Sequence, residues 1–508
     1  MEASGFSRIV ALAIVLAAAL AGTARAAPSE KVAVLVVPAS AAIFTSPKAA
    51  HGLVVPGEGA TVSRRSARAS LLHGELGNAL VNGGLPGGKP RISFAPHPAQ
   101  VTFYVALPPP GKHHNVVRYP VAVIGPGYHG LLTSSATHLD GLISIADVAP
   151  SVLALEAGKP PRIRSRASAD PVAYLQRFDE RLTRAHDSRT GATLVLVGLM
   201  TILGLSALLV RRAGLGRAAF LAAPACLVVA VALSAMDVTR PWQVLVFLAL
   251  AAAALALVGG TVLRPRLPLA ATLAAVFAFL YAVMWAKPQW NSLAALGPRP
   301  DGGGRFYGVN NQVSTLLLAP ALVLGALAGP ALPAVALLVV AGMAASFIGA
   351  QADGLVVYLA GFLVLAWRIR GKRPGLARAA GAVAVAAAAA FAFVAIDAAL
   401  GGSSHITHAV GGGPGTLAGD LAHRIHLSAA FVVSRWNETL LFFLSVAGLV
   451  WLALQRPRLP VLDALLAALA VSLIVNDTPT DIAGLGVLSA LVLWIWLARS
   501  GERADALD

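Results

Sequence analysis

Residues 191–210 read GATLVLVGLMTILGLSALLV, a run of twenty residues that contains no charged side chain. A helix of this length and composition can cross the hydrocarbon core of a bilayer, which is about 30 Å thick. Similar runs recur toward the C-terminus, and only 12% of the chain is charged, against roughly 25% in a soluble protein. We therefore predict a polytopic α-helical membrane bundle with about 11 transmembrane helices. The predicted spans are 191–210, 218–236, 242–260, 269–286, 312–328, 333–350, 355–369, 379–397, 438–454, 461–476 and 482–498.

The part of the chain before residue 191 has an ordinary composition and forms a separate region. Its start combines a basic residue at Arg8, an apolar run over 9–21 and a small-x-small site at 24–26, which together predict a cleavable signal peptide. The alternative is an uncleaved first helix, but a run of about 13 residues is short for a span. The predicted regions are a signal peptide (1–26), an extracytoplasmic α/β domain (27–165), a juxtamembrane linker (166–190), a transmembrane domain (191–498) and a cytoplasmic tail (499–508).

Basic residues are distributed unevenly between the two sides that this topology creates. Fourteen Lys and Arg residues fall in segments predicted to be cytoplasmic, and six fall on the opposite side after the first span. This imbalance follows the positive-inside rule, so it places the C-terminus in the cytoplasm and the N-terminal domain outside. The same rule accounts for the net charge of +16 without a nucleic-acid partner. We expect a multi-pass protein of the plasma (inner) membrane.

The N-terminal domain is predicted to be a small α/β unit. Short β-branched runs bounded by Pro and Gly indicate strands at 31–37, 101–107 and 120–125. Helix-like apolar spacing is found over 70–81 and 145–155. Strands that alternate with helices favour an α/β sandwich with a partly parallel sheet.

The stretch His138–Leu155, HLDGLISIADVAPSVLAL, resembles a segment of the alkaline phosphatase and sulfatase-like superfamily. The resemblance covers these 18 residues and implies a related α/β fold, in which the Asp-x-Ala-Pro segment is structural and lies outside the metal site. Active members carry a metal-binding Asp directly after the first strand, whereas residues 37–40, VPAS, offer no carboxylate. The resemblance therefore implies a shortened, inactive relative, and we predict no metal and no cofactor.

Four polar clusters fall on the predicted outer side. Polar groups at membrane depth are costly, so their clustering indicates a functional surface. The first cluster contains GGGRFYGVNNQ, in which Arg305 can hold a phosphate or carboxylate and the glycines allow a ligand to approach closely. A purely structural loop is the alternative. The clusters cover 291–312, 351–354, 400–437 and 476–481, and the predicted substrate-binding residues of the first are Arg305, Tyr307, Asn310 and Asn311.

The second and third clusters supply further candidate residues. Asp353 could act as a general base, or could simply cap a helix. His405 and His408 suit proton transfer near neutral pH. Their spacing would also suit a metal, but no cysteine or well-placed carboxylate completes such a site. We predict these three as catalytic residues, and Arg424 and Arg435 as residues that bind an anionic substrate.

The pattern Arg305-x-x-Gly308-x-Asn310-Asn311, followed by a long outer loop with His and Arg, is similar to the O-antigen ligase and polymerase family. That resemblance covers roughly residues 269–454 and implies transfer of a sugar from a lipid diphosphate carrier. The whole chain resembles uncharacterised actinobacterial-type membrane proteins with a phosphatase-like domain and an R-F-Y-G-x-x-N motif. Two function classes therefore stay open: glycosyl transfer at the outer membrane face, or a non-enzymatic lipid transporter, flippase or envelope-complex scaffold. The expected partner is a membrane lipid or a lipid-linked glycan.

Overall fold

The computed structural model describes residues 30–77, 85–94, 99–263, 266–371 and 435–499, together with isolated positions between 393 and 433. Within this part of the chain, an α/β region precedes a series of apolar helices, as the sequence predicts. The predictions that lie outside the described residues are the signal peptide, most of the span 379–397, most of the polar cluster 400–437 with the candidates His405, His408 and Arg424, and the cytoplasmic tail after residue 499.

Nine strands form the β part of the N-terminal region. They are β1 (Val32–Val36), β2 (Ala50–Val55), β3 (Thr61–Ser63), β4 (Val101–Val105), β5 (Lys112–His114), β6 (Tyr119–Ile124), β7 (Gly130–Ser134), β8 (Leu142–Ser144) and β9 (Ile163–Arg166). The main sheet has the order β1-β4-β6-β2-β7-β9, with β8 beside β2, while β3 and β5 form a separate pair. β4 runs parallel to β1, and β6 is antiparallel to both β4 and β2, so the predicted partly parallel sheet is confirmed.

Two helices accompany this sheet. They are α1 (Arg64–His73) and α2 (Val148–Glu156). The helix predicted over 70–81 is wrong in its bounds, because Ser63 caps the first turn of α1 and Gly74, with φ +70°, ends it. The first two turns, RRSARA, are largely polar, so apolar periodicity could not reveal where the helix begins. The helix predicted over 145–155 is a short 3₁₀ turn that continues into α2.

Asp147, in the segment 138–155, lies in the core of the α/β region. Its carboxylate accepts hydrogen bonds from the Ser134 hydroxyl at 2.7 Å and from the Ser144 N–H at 3.2 Å. Burial raises the pKa of Asp147, although these hydrogen bonds and the charge of Arg162 oppose the shift. The residue therefore fixes the turn that leads into α2.

The C-terminal region is helical. Its described helices are α3 (Pro171–Val210), α4 (Ala213–Ala235), α5 (Pro241–Val262), α6 (Arg266–Ala286), α7 (Pro288–Ser292), α8 (Asn311–Leu327), α9 (Leu332–Ala344), α10 (Ala352–Ile369), α11 (Trp436–Leu454), α12 (Pro460–Val475) and α13 (Pro479–Arg499). Six of them, α3 to α6, α11 and α13, are long and apolar enough to cross a membrane. α8, α9 and α12 are shorter apolar helices. The chain thus has the helices of a multi-pass membrane protein, while the number of about 11 spans stays a prediction.

Helix α3 joins the two regions of the molecule. It contains 40 residues, so at 1.5 Å per residue it is about 60 Å long, roughly twice the thickness of a bilayer core. Asp170 caps its start by accepting the Ala173 N–H at 3.0 Å, and Pro171 occupies its first turn. Most of the predicted juxtamembrane linker is therefore a helix that continues into the first predicted span.

The helices differ in how much of their surface the protein covers. The apolar stretch of α4 is 83% buried, and α4 packs against α3, α5 and α13 at the centre of the bundle. The apolar stretch of α11 is only 11% buried, and its outer face carries exposed residues such as Phe443, Leu444 and Trp451. Such a face suits contact with lipid, because lipid tails are as apolar as these side chains.

Candidate functional site

Three of the four predicted polar clusters meet at the end of the bundle that carries the α/β region. Residues 298–309, named here the docking loop, precede α8 and contact both the α/β region and the turn between α9 and α10. The start of α8 contacts this turn and the residues between α12 and α13. One described residue of the remaining predicted cluster, 400–437, also contacts this end of the bundle: the Ser428 hydroxyl donates to Asn476 O at 2.8 Å. The polar cluster, as named below, consists of Asn311, Gln312, Gln351, Asp477, Thr478 and Asp481.

Asp301 ties the docking loop to α3 by charge, and its side chain is only 3% exposed. Arg189 forms an ion pair with this carboxylate and donates to Pro298 O at 2.8 Å. His186, one turn earlier in α3, lies 2.6 Å from the other carboxylate oxygen. Burial alone would raise the pKa of Asp301, but the charge and hydrogen bond of Arg189, then those of His186, hold the pKa below its ordinary value. The contact is therefore a buried, neutralised group of charges.

Close backbone contacts fix the docking loop to the α/β region. The Gly59 N–H donates to Gly302 O at 3.1 Å, and the buried side-chain amide of Asn115 donates to the same oxygen at 3.2 Å. Gly303 has φ +71°, and a Cβ at this position would lie 2.0 Å from Gly57 O. Only glycine fits this geometry, so this glycine serves the approach of one backbone to another.

An apolar layer lies beside these polar contacts. Its buried members are Val55, Leu139 and Leu142 of the α/β region, Phe178 and Leu182 of α3, and Leu293 and Phe306 of the segment that leads to α8. The rings of His138 and Tyr307 also contact each other, with centroids 4.2 Å apart. Burial of each such large apolar side chain contributes about 1.5–3 kcal/mol at most, so the layer supplies much of the free energy that holds the regions together.

Arg118 makes a second ionic contact between the α/β region and α3, nearer the start of that helix. Its side chain is 2% exposed and donates to Asp179 Oδ1 and to Thr183 Oγ1, both at 2.7 Å. It also donates to Val116 O at 2.7 Å. The α/β region is thus attached to α3 at two levels along the helix axis.

The side chains of Arg305 and Tyr307 contact the turn between α9 and α10. Arg305 Nη1 donates to Ala350 O at 2.8 Å, and the Tyr307 hydroxyl donates to Ser346 O. Both acceptors are backbone carbonyls that have no role in a regular helix at this point. The two side chains that were predicted to bind a substrate therefore help to hold this turn in place.

Gly308 and Asn310 fix the start of α8. Gly308 has φ +76°, and a Cβ there would lie 2.2 Å from Gly349 O. The Asn310 side chain accepts the Val313 N–H at 2.7 Å as an N-cap, and its amide donates to Gly297 O at 2.9 Å. Helix capping accounts for one of the two asparagines of the motif.

Asn311 is the centre of the polar cluster. Its amide donates to Asp477 Oδ1 at 3.0 Å and to Thr478 Oγ1 at 2.9 Å, and its carbonyl oxygen accepts from the Gln351 amide at 2.7 Å. The next residue, Gln312, donates to Asp481 Oδ2 at 3.1 Å. The cluster therefore links α8, the turn before α10 and the α12–α13 junction through neutral side chains and two carboxylates.

Of the other predicted site residues, two lie at the starts of helices and the remaining three lie outside the described part of the chain. Asp353 lies in the first turn of α10, and Arg435 is exposed directly before α11. Among the described residues, no group of three or more His, Cys, Asp or Glu side chains is placed to hold a metal ion. The catalytic role of His405, His408 and Asp353 and the binding role of Arg424 and Arg435 stay predictions.

Sequence reasoning missed the residues that join the two regions: Asn115, Arg118, His186, Arg189 and Asp301. The spacing of His186 and Arg189, three residues apart on the polar part of α3, was a usable signal, because such residues share a helix face. Nothing local identified Asp301 as their partner, since it lies more than a hundred residues away in sequence.

No protein-family model matches the chain, no curated protein matches it and no solved structure matches it. The function must therefore be argued from the contacts described above.

Proposed function

We propose that the protein is a non-enzymatic scaffold of the cell envelope, in which the membrane bundle holds the α/β domain in one orientation. One observation carries the proposal: the residues of the Gly-rich motif make their hydrogen bonds to the protein itself. Arg305 donates to Ala350 O, and Asn310 caps α8. A loop that binds substrate would need these groups directed at the ligand.

The junction between the two regions supports the same proposal. It combines the buried charges around Asp301, the glycine contacts of the docking loop, the apolar layer and the contacts of Arg118. Contacts of four kinds over one surface favour a fixed domain rather than one that opens and closes. Glycosyl transfer is the less supported class, because Arg305 would have to leave a backbone acceptor to hold a diphosphate.

The proposed surroundings of the scaffold follow from charge. Residues 27–190 contain 17 Lys and Arg against 10 Asp and Glu, a net of +7. A basic domain held close to a membrane attracts anionic lipid head groups or anionic envelope polymers. We propose that this domain lies on the outer side of the inner membrane, above about 11 spans, on the basis of the fourteen-to-six distribution of basic residues.

A disulfide across the junction tests the proposal. A Cβ on Gly304 would lie 3.8 Å from Cγ of Glu58, so cysteines at these two positions would lie within reach of each other across the junction. The single native cysteine, Cys226, is buried and should not interfere. We expect the double variant Glu58→Cys/Gly304→Cys to oxidise fully in membranes, as measured by loss of maleimide-reactive thiols. Cells that carry only this variant should keep the wild-type envelope phenotype.

The matched controls are each cysteine variant alone and the double variant kept reduced. If the oxidised protein loses function and the reduced protein regains it, the domain must move and a fixed scaffold is wrong. Arg305→Ala provides an independent test in the same cells. A scaffold tolerates this change with envelope glycans unchanged, whereas loss of glycan transfer with a normal amount of folded protein would favour the glycosyltransferase alternative.

A further inference from the structure

The α/β region carries its charge unevenly. Residues 31–139 contain nine Lys and Arg residues but only two acidic residues, Glu58 and Glu75. Glu75 is paired with Arg91, and Glu58 lies beside Gly304 of the docking loop. This part of the chain therefore has few acidic groups that could balance its positive charge.

Four of these basic residues form one exposed surface, named here the basic patch: Arg64, Arg65 and Arg68 of α1, and Lys112 of β5. Ser63 directly precedes α1 and lies opposite Lys112 in the antiparallel pair of β3 and β5. The Cα atoms of opposite residues are about 5 Å apart, so Lys112 lies beside the first turn of α1. Arg68 follows Arg64 by about one helical turn and therefore shares its face of the helix.

The basic patch is not neutralised within the part of the chain that the structure describes. None of its four side chains forms an ion pair with a described residue. The guanidinium carbon of Arg68 lies 4.9 Å from the centre of the Phe94 ring, a contact that adds no negative charge. The first turn of α1 contains no acidic residue, so the positive end of the helix dipole adds to the field of the patch. Crowded like charges repel one another, and an anionic partner relieves this repulsion.

We propose that the basic patch binds anionic lipid head groups at the surface of the membrane that holds the helical bundle. The phosphate of such a lipid suits an Arg side chain, because a guanidinium can donate two parallel hydrogen bonds to a phosphate. The proposal narrows the anionic partner of the proposed function to lipid. It rests on the placement of the α/β region beside the membrane in that function.

The docking loop marks the level of the membrane surface. Asp301 of this loop is paired with Arg189 of α3. Arg189 precedes the uncharged run 191–210 by two residues, which is about 3 Å along the helix axis. That run is long enough to fill the hydrocarbon core, so the docking loop lies at the depth of the lipid head groups.

The basic patch lies a short distance from this level. The Asn115 amide donates to Gly302 O of the docking loop, and Lys112 precedes Asn115 by three residues. Three residues span at most about 11 Å even when the chain is extended. The screening length at physiological ionic strength is about 8 Å, so the long side chains of the patch reach the field of an anionic leaflet. A soluble anionic polymer would not require this position, because basic groups anywhere on the domain would attract it.

The test uses the full chain in lipid nanodiscs made of phosphatidylcholine alone or of phosphatidylcholine mixed with phosphatidylglycerol. Hydrogen–deuterium exchange reports contact at the patch itself. We expect peptides that cover residues 61–68 and 110–115 to exchange more slowly in the anionic nanodiscs. The difference should disappear in about 1 M NaCl, where the screening length falls to about 3 Å.

A variant of the patch gives the size of the effect. Short-chain phosphatidylglycerol is titrated into the detergent-purified chain, and Tm rises as the lipid binds the folded state. Each basic residue close to an anionic surface contributes a factor of about five to binding. Arg64→Gln/Lys112→Gln should therefore raise the lipid concentration at half-effect by more than about tenfold, and should abolish the exchange difference between the two kinds of nanodisc.

The matched control, Lys48→Gln/Arg177→Gln, removes the same charge from two exposed residues of the same region. Lys48 lies before β2, at the end of the strand opposite to Gly57 and the docking loop. Arg177 lies 14 residues before residue 191 in α3, which is about 21 Å along the helix axis. The control should respond to phosphatidylglycerol as the wild type does.

Equal responses of the two variants, or an exchange difference that persists in high salt, overturn the proposal. If anionic nanodiscs change nothing while added polyglutamate slows exchange in the same peptides, the partner is a soluble polymer and the assignment to lipid is wrong. If the patch variant does not fold, the salt dependence of the wild type still decides. A negative result here leaves the disulfide test unaffected, because that test measures whether the junction is fixed and not what the patch binds.

Discussion

Two acidic side chains at the same end of the molecule have opposite surroundings. Asp301 of the docking loop is 3% exposed and is paired with Arg189 and His186. Asp481 of the polar cluster accepts from the neutral amide of Gln312, and the described residues place no basic group within ion-pair distance of it. A carboxylate whose charge is balanced inside the protein belongs to the fold. One that accepts only from a neutral amide can be removed without leaving a buried cation unpaired.

From sequence alone the docking loop looks like the functional segment and residues 476–481 look like a plain turn, but their contacts do not follow that expectation. The docking loop has the more suggestive motif, GGGRFYG, but its glycines and its arginine serve contacts within the protein. The segment NDTPTD has the composition of an ordinary turn, and its two carboxylates accept hydrogen bonds from the neutral amides of Asn311 and Gln312 in the polar cluster. Residue types indicate possible chemistry, whereas the partners decide whether that chemistry is available.

The largest expected effect separates the two carboxylates directly. Asp301→Ala leaves Arg189 buried without its partner, which should lower the free energy of unfolding by about 3–5 kcal/mol. Asp481→Ala should change it by less than about 1 kcal/mol, because no described basic side chain forms an ion pair with Asp481 and none is left unpaired. Chemical unfolding of the purified protein in detergent measures both. Equal losses for the two variants would mean that the contrast between the two regions has no energetic basis.

A glycine pair tests whether the docking loop is shaped for contact within the protein. Gly303→Ala places a Cβ 2.0 Å from Gly57 O at a positive φ, and should destabilise the protein by roughly 2–3 kcal/mol. Gly302→Ala is the control, since its Cβ would meet no described atom within 4 Å, and it should cost less than about 0.5 kcal/mol. Thermal unfolding and limited proteolysis of the α/β region report the difference. If Gly303→Ala were as stable as Gly302→Ala, the docking loop would not contact the α/β region as described.

Acid titration sharpens the contrast further. The folded-state pKa of Asp301 lies below its ordinary value of 3.8, so its stabilising effect is complete above that value and is lost as the pH falls through the folded pKa. The difference in unfolding free energy between wild type and Asp301→Ala should therefore narrow below about pH 4. Unfolding curves at several acid pH values measure this. A difference that stays constant down to the lowest pH would assign the effect to packing and not to charge.

The smallest expected effect concerns a buried base in the α/β region. His51 is 3% exposed, and burial lowers its pKa below 6.5, although the hydrogen bond to Ser46 O opposes the shift. The stability that it contributes is complete above pH 6.5 and is lost as the pH falls toward the folded pKa. His51→Gln should remove this slope, which amounts to at most about 1.4 kcal/mol per pH unit. An unchanged slope between wild type and variant would exclude His51 as its source.

Much of the fold could be predicted because its signals are local. The apolar runs predicted the long helices, because a membrane span is recognised by its length and composition. The β-branched runs predicted β1, β4 and β6. The start of α1 escaped prediction because its first turns are polar and only the Ser63 cap marks it. The sequence also did not predict that α3 is one continuous helix, because its composition changes from polar to apolar near residue 190 and this change suggested a boundary.

The candidate site could be predicted in part. The sequence placed Asn311, Gln351 and Asp477 on one side of the membrane, and these residues meet in the structure. What each residue contacts could not be predicted, because the pairs are formed across large separations, as between Arg189 and Asp301. Such contacts depend on tertiary packing and leave no pattern in a single sequence.

The most direct test of the fixed junction is hydrogen–deuterium exchange over residues 298–309 in lipid nanodiscs. The Val309 N–H donates to Gly349 O at 2.7 Å, and the Gly59 N–H donates to Gly302 O at 3.1 Å. If the docking loop is part of the folded junction, peptides that contain Val309 or Gly59 should exchange as slowly as β2 in the core of the α/β region. Complete exchange within seconds, with β2 still protected, would show an open loop and would contradict the account.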